Sequence, residues 1–390
     1  MQITTTIAGG KTRFLSLDVM RGLIVTLMII VNTPGTWSAI YTPFDHTVWH
    51  GCTPTDWVFP SFMFMIGVSM RFSFKPFGYR LDNTLAGKIL KRGAMIYLIY
   101  FTMCLFWKIC GALIEGKSLN SEFFNTFFYK FRILGVLPRL ALGYVLASFF
   151  ALWAASFRNI IYVVATLLLG YWAVMYAFGD YQMLTNAGHK IDLLLLGENH
   201  LWHGEGVPFD PEGLFSTLPS VATVLLGYLT GQYIQKNEDK TQIIKHLIIA
   251  GFIAIALSEV WNLVFPISKK IWTSSFVVHL AGIDWLILAI LIWAIDLNHR
   301  EKGTFFFKVF GMNALMAYVV SELPIPIMSY IKVSYEGKTT SLYNYIYKSI
   351  FLSSTDGNAQ LASFLFAVTW MLICWVVLYL MYRKNWFLKV

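Results

Sequence analysis

Residues 17–36 read LDVMRGLIVTLMIIVNTPGT. Two charges, Asp18 and Arg21, stand at its start, and the run is then apolar until Asn32, Pro34 and Gly35 close it. About 20 such residues, as an α-helix, span the hydrocarbon core of a bilayer. Lys11 and Arg13 precede the run, as the charged region of a secretory signal would. No small-residue cleavage site closes it, and Arg21 and Asn32 interrupt it, so it reads as a retained membrane helix.

Working outward, further apolar stretches follow at 56–74, 93–114, 133–155, 160–178, 214–234, 246–266, 273–295, 305–325 and 361–382. The 390-residue chain is 57% hydrophobic and 13% charged, against about 25% charged in a soluble domain. A soluble globule could not hide that apolar surface, and disorder or a collagen-like chain is excluded as well. Cys52, Cys104, Cys110 and Cys374 form no CxxC pattern and no disulfide framework. The expected fold is therefore an all-α polytopic membrane protein of about 10 transmembrane helices. It forms a single domain over 1–390, with no separate soluble domain.

With the N-terminus inside, about two thirds of the 30 Lys and Arg fall on the inner side. They include Lys11, Arg13, the run from Arg71 through Lys75 to Arg92, and Arg383, Lys384 and Lys389. Both termini are thus expected to be cytoplasmic. The net charge of +9 becomes mostly a topology signal, and nucleic-acid binding loses its support. The outer connections 34–55, 115–132, 179–213 and 326–360 are long, and loops carry function disproportionately. The Tyr-rich stretch 326–360 is expected along the membrane interface.

Polar residues at membrane depth are costly and hence candidates for function. The densest region is 32–61, NTPGTWSAIYTPFDHTVWHGCTPTDWVFPS, with Asn32, Trp37, Asp45, His46, Trp49, His50 and Asp56. Thr55 and Asp56 can cap the second helix, with Pro60 near its first turn. Capping leaves His46 unexplained, and an imidazole among carboxylates can exchange a proton near neutral pH. Asp18 and Arg21 lie three apart, on one helix face; an inner-surface ion pair is the plainer reading, an anionic ligand on Arg21 the sharper one. Arg132 and Arg139 are seven apart, a snorkelling pair or a binding site for an anionic or carbonyl group. Asp210 and Pro211 can open the sixth helix, or the acidic pair Asp210 and Glu212 can hold a sugar hydroxyl or an amine. Glu198, His200, His203 and Glu205 lack a diagnostic metal spacing, so no metal is expected. Glu259, His279, Asp284, Asn313 and Glu322 add polar groups along the later helices, each a satisfied interhelical bond if taken singly, together an expected polar path through the bundle. No P-loop, GxSxG elbow, Rossmann fingerprint or zincin motif is present.

The stretches RFLSLDVMRGLIVTLMIIVNTPG, HTVWHGCTPTDWVFPSFMFMIGVS, RILGVLPRLALGY, DPEGLFSTLPSVATVLLGYLTGQ, ISKKIWTSSFV and VFGMNALMAYVVSE resemble, in order, the heparan-alpha-glucosaminide N-acetyltransferase family within the wider transmembrane acyltransferases. The resemblance implies a transmembrane acyltransferase-like bundle. It would move acetyl from cytoplasmic acetyl-CoA to the amine of a glucosamine-type sugar on the outer side. The histidine of the family's HxxW motif falls on His46, and the asparagine of its VN motif on Asn32. His46 would then be the base and Asn32 the oxyanion donor, with Asp45 or Asp56 orienting the imidazole. Trp37, Trp49, Arg132, Arg139, Asp210, Asn313 and Glu322 would face the acceptor. Arg21, Arg71, Lys75 and Arg92 would face the phosphates of CoA. Acetyl-CoA, the amino sugar, membrane lipid and a second copy in a homodimer are the expected partners, in a bacterial inner membrane. The competing expectation is an amino-sugar or sugar transporter.

Overall fold

The computed structural model describes residues 14–388; Lys11, Arg13 and Lys389, counted above on the inner side, lie outside the described residues. The chain is helical nearly throughout. Its helices are α1 (Leu15–Asn32), α2 (Pro54–Ser73), α3 (Asn83–Ile114), α4 (Ser121–Tyr129), α5 (Val136–Ala154), α6 (Phe157–Phe178), α7 (Ala187–Leu196), α8 (Thr217–Lys236), α9 (Lys240–Asn262) and α10 (Ser274–Leu291). They continue as α11 (Thr304–Met312), α12 (Ala314–Glu322), α13 (Pro324–Tyr330), α14 (Leu342–Ile346) and α15 (Ala359–Arg383). A hairpin of β1 (Lys332–Tyr335) and β2 (Lys338–Ser341) pairs Lys332 with Ser341.

Seven helices are long and apolar enough to cross a membrane: α1, α3, α5, α6, α9, α10 with its π-helical extension to Leu297, and α15. An eighth is reached if α11 and the Ala314–Tyr330 segment of α12 and α13 count as one span, bent by 83°. The expected straight helix over 305–325 is thus broken, and the break falls at Asn313, whose backbone leaves the helical region. The count of about ten is not confirmed, because α2 and α8 are long enough but less apolar. Their polarity has a structural reason. In α8, Thr217, Ser220, Thr223, Thr230 and Gln232 are all buried. A helix surrounded by protein need not match lipid, and small residues let two such helices approach closely. At the α2–α8 contact, a Cβ added to Gly67 would lie 1.9 Å from the Val224 carbonyl oxygen. One added to Gly227 would lie 1.9 Å from that of Phe64. By contrast α3, α6, α9 and α15 expose Leu98, Tyr162, Leu169, Phe252, Ile253, Leu372 and Val376. Such apolar faces belong in lipid, and the chain is an integral membrane protein.

Only the first part of the basic inner stretch from Lys75 to Arg92 is a loop. Helix α3 begins at Asn83, and the Asp82 carboxylate caps it by accepting from the Leu85 amide at 2.6 Å. Lys88, Lys91 and Arg92 interrupt the apolar run but ride on its first turns. The long connections also hold structure of their own, α4 and α7 among them. In the Tyr-rich segment, the Tyr343 hydroxyl donates to the Pro34 carbonyl at 2.5 Å, tying that segment to the end of α1.

A candidate active site among the loops at one end of the bundle

The loop between α1 and α2 is fixed by its own side chains. Thr53 and Asp56 form a capping box on α2. The cap is therefore Thr53, while the Thr55 hydroxyl donates to the Pro43 carbonyl and Pro60 sits inside the helix rather than in its first turn. The buried Asp56 carboxylate accepts from the amides of Thr47 and Thr53 and from both their hydroxyls, at 3.1–3.2 Å. Its other oxygen, Oδ1, lies 2.6 Å from His46 Nδ1. A carboxylate only accepts, so Nδ1 carries a proton, and in the neutral ring Nε2 is then the nitrogen with the lone pair. Asp45 does not touch the ring; its Oδ1 accepts from the His46 backbone amide at 2.8 Å. Of the two aspartates expected to orient the imidazole, it is Asp56 that meets the ring.

A second loop, between α9 and α10, closes on the first. The Gly51 amide donates to the Ile267 carbonyl at 2.7 Å, and the Ser268 hydroxyl to that of Trp49 at 2.8 Å. Gly51 has φ +104°, a conformation that a side chain would strain. This register sets Lys269 Nζ 3.6 Å from Asp56 Oδ1 and 3.2 Å from His46 Nδ1. Burial pulls the Lys269 ammonium below the usual lysine range, against Asp56 and Glu212, which pull it back. Burial likewise pushes the neighbouring Cys52 thiol up to about 12, so it stays protonated.

The third part is the turn before α8. Asp210 caps no helix there, since α8 starts at Thr217. Its two oxygens take a fork of bonds from Arg132 at 2.6 and 2.9 Å, and the same guanidinium reaches Glu212 at 2.5 Å. Arg132 precedes α5, so it does not share a helix face with Arg139 as the seven-residue spacing implied. Arg139 is fully buried, stacked over Trp272, and bonded to the Gly213 carbonyl and the Ser216 hydroxyl. Its Nε and Nη1 have no partner among the described residues. Burial alone would raise the Glu212 carboxyl, yet Arg132 and Arg139 hold it below its usual range. Burial pushes nearby Asp192 up to about 6.

Loop packing explains other candidates. The Trp49 indole donates to the Tyr181 carbonyl at 2.7 Å and its ring packs edge-on to Phe209, while Trp37 is exposed. His200 and His203 turn their Nδ1 atoms to backbone carbonyls. Asn32 belongs to a separate network: its amide donates to Glu322 Oε1 at 3.2 Å. Glu259 and His279 pair on α9 and α10, and Asp284 accepts from Trp57, so the later polar residues do not form one chain of bonds.

Asn313 lies elsewhere. It bonds the backbone of Trp386 and Leu388, at the other end of the bundle. There it lines a cavity of about 200 Å³ with Arg21, Ser69 and Arg92. Arg21 bonds Ser69 and the Gly311 carbonyl and pairs with Asp18. Arg92 stacks over Tyr144, its Nε without a partner among the described residues. Arg71 is outside this cavity, engaged with Gln235, Tyr228 and the Tyr79 ring, and Lys75 is exposed. Lys269 joins the site although nothing in the sequence ties it to His46; Glu212, the second carboxylate of the pair before α8, is held there by Arg132.

No family model matches the chain. It is 29% identical over 369 residues to the mouse heparan-alpha-glucosaminide N-acetyltransferase and 28% identical over 368 residues to the human one. Each match covers 80% of this chain, which spans about half the length of these relatives. The chain is related at the family level to the heparan-alpha-glucosaminide N-acetyltransferases.

Proposed function

We propose that the protein is a membrane-embedded N-acetyltransferase that moves acetyl from acetyl-CoA to the amine of a glucosamine-type sugar. The observation that supports this most is the His46–Asp56 pair, because a ring held at Nδ1 by a buried carboxylate offers Nε2 as a base. The amine nitrogen attacks the thioester carbonyl while His46 Nε2 takes its proton. The carbon–sulfur bond then breaks, and the proton passes to the departing thiolate. Asn32 donates to the oxyanion, a role worth about 3–4 kcal/mol where it has been tested; to do so its amide exchanges Glu322 for the substrate oxygen.

The donor enters from the opposite, cytoplasmic end. The cavity there is too small for a whole CoA and suits its narrow arm, with Arg21 and Arg92 on its polar wall. Lys75, exposed toward the same end, meets the phosphates outside, while the buried Arg71 stays engaged with Gln235, Tyr228 and Tyr79. Trp37, exposed on the loop, stacks on the sugar, while Trp49, Arg132 and Asp210 hold the walls of the acceptor site. The setting is a bacterial inner membrane, and the assembly a homodimer.

The test is purified protein with labelled acetyl-CoA and glucosamine. Acetylated sugar is expected, and His46→Ala should lose at least about 100-fold of the rate while eluting and melting as the parent does. Sugar flux into liposomes lacking acetyl-CoA, with no acetylated product, would replace this reading by the transporter.

A further inference from the structure

The arrangement of Lys269 asks for an explanation beyond packing. An ammonium is costly to bury, and α10 does not need it, since Thr273 already caps that helix. Two inter-loop bonds, Gly51 to Ile267 and Ser268 to Trp49, deliver Lys269 to one particular atom. That atom is Asp56 Oδ1, the oxygen that also meets His46 Nδ1. The charged and titratable groups around the ring are Asp56 from α2, Asp45 from its own loop and Lys269 from the loop before α10. Lys269 in turn faces Asp56, Glu212 and the Cys52 thiol.

We propose that Lys269 is a positioning residue for His46, sharing Asp56 Oδ1 with the imidazole and taking up carboxylate charge that would otherwise stabilise an imidazolium. The role rests on the acyl-transfer reading, in which Nε2 must be unprotonated when the amine arrives. Asp56 alone would orient the ring and also favour its protonated form. With Lys269 beside it, orientation is kept and the bias toward imidazolium is reduced. Glu212, anchored by Arg132, adds a second negative charge that favours the ammonium.

The experiment follows the ring itself, so it does not depend on turnover. Diethyl pyrocarbonate reacts with unprotonated imidazole, and half-exposed His46 is within its reach. Labelling of the His46 peptide is read by mass spectrometry from pH 5 to pH 8 in detergent-solubilised protein. In Lys269→Met the pH of half-maximal labelling should rise by about one pH unit, and Lys269→Gln should behave alike. Lys269→Arg should restore the parent value. The acid limb of the transfer rate should move with the labelling. An unchanged labelling midpoint in both neutral variants, or a rate lowered equally at every pH, would reduce Lys269 to a structural ion pair and overturn the proposal. If Lys269→Met does not fold, Lys269→Gln against Lys269→Arg decides the same question. A parent protein that transfers no acetyl would remove the acyl-transfer reading, while the labelling midpoints would still report whether Lys269 acts on His46.

Discussion

At the loop end of the bundle Arg132 and Asp56 are engaged with opposite charges; at the opposite end Arg21 and Arg92 line a cavity, where Arg21 pairs with Asp18. Arg132 grips Asp210 and Glu212, and Asp56 is shared by two threonines, His46 and Lys269. Around the cavity, Arg92 has only a ring beneath it and an Nε with no partner among the described residues. A catalytic end needs groups fixed before the substrate arrives, and a binding end needs donors held in reserve. The same substitution should therefore read out differently at the two ends: as lost stability at the first, as lost affinity at the second.

The sharpest break of the comparison is Arg132→Met. It takes from the carboxylates of Asp210, fully buried, and Glu212, largely so, the guanidinium that both of them bond. Removing one partner of such a buried cluster costs about 3–5 kcal/mol. Thermal unfolding in detergent should show a large drop in midpoint. A midpoint near the parent's would mean that the cluster does not brace the loop end in the way its geometry implies.

Asp192 tests the same end through pH. Burial raises its folded pKa to about 6, from about 4 in an unfolded chain. The folded state thus holds this proton more tightly. The resulting stability is complete below pH about 4 and is lost as the pH rises through about 6. Asp192→Asn keeps an oxygen to accept from the Phe215 amide and cannot ionise. The variant should match the parent near pH 4 and exceed it at pH 7.5, by on the order of 2 kcal/mol. A parent whose midpoint rises from pH 4 to 7 while the variant's stays flat would reverse the sign and place Asp192 with the well-paired carboxylates instead.

How much of this contrast a sequence can carry depends on what holds each part. The lipid-facing helices are legible because one property, apolarity over a fixed length, determines them. Helices α2 and α8 blur that signal because protein surrounds them, and Gly67 and Gly227 record a contact between helices that no single stretch displays. His46 and Asp56, ten residues apart in one loop, could be nominated together. Lys269 could not be joined to them, since it is 223 residues from His46 in the chain. The Arg132 fork to Asp210 spans 78 residues, and each end alone has a plainer reading, as a snorkelling cation or a helix cap. Asn313 misleads in the opposite sense. It stands at the break between α11 and α12, and its bonds to Trp386 and Leu388 put it at the far end from the His46 loop.

The smallest expected change in stability comes from the cavity, and it is the most telling about function. Arg92→Met keeps the length of the stem over Tyr144 and removes a guanidinium whose Nε has no partner among the described residues. Little is lost from the fold, since a stacked cation of this kind contributes about 0.5–1 kcal/mol, and the unfolding midpoint should move only slightly. If the cavity receives the donor's arm, the loss appears on binding instead. The KM for acetyl-CoA should rise by about tenfold, the equivalent of one charge-assisted hydrogen bond, with kcat and the KM for the sugar nearly unchanged. An unaltered KM for acetyl-CoA beside a lowered melting midpoint would make Arg92 a structural residue like Arg71. The two ends would then no longer differ in kind, and the donor would have to be sought along another face of the bundle.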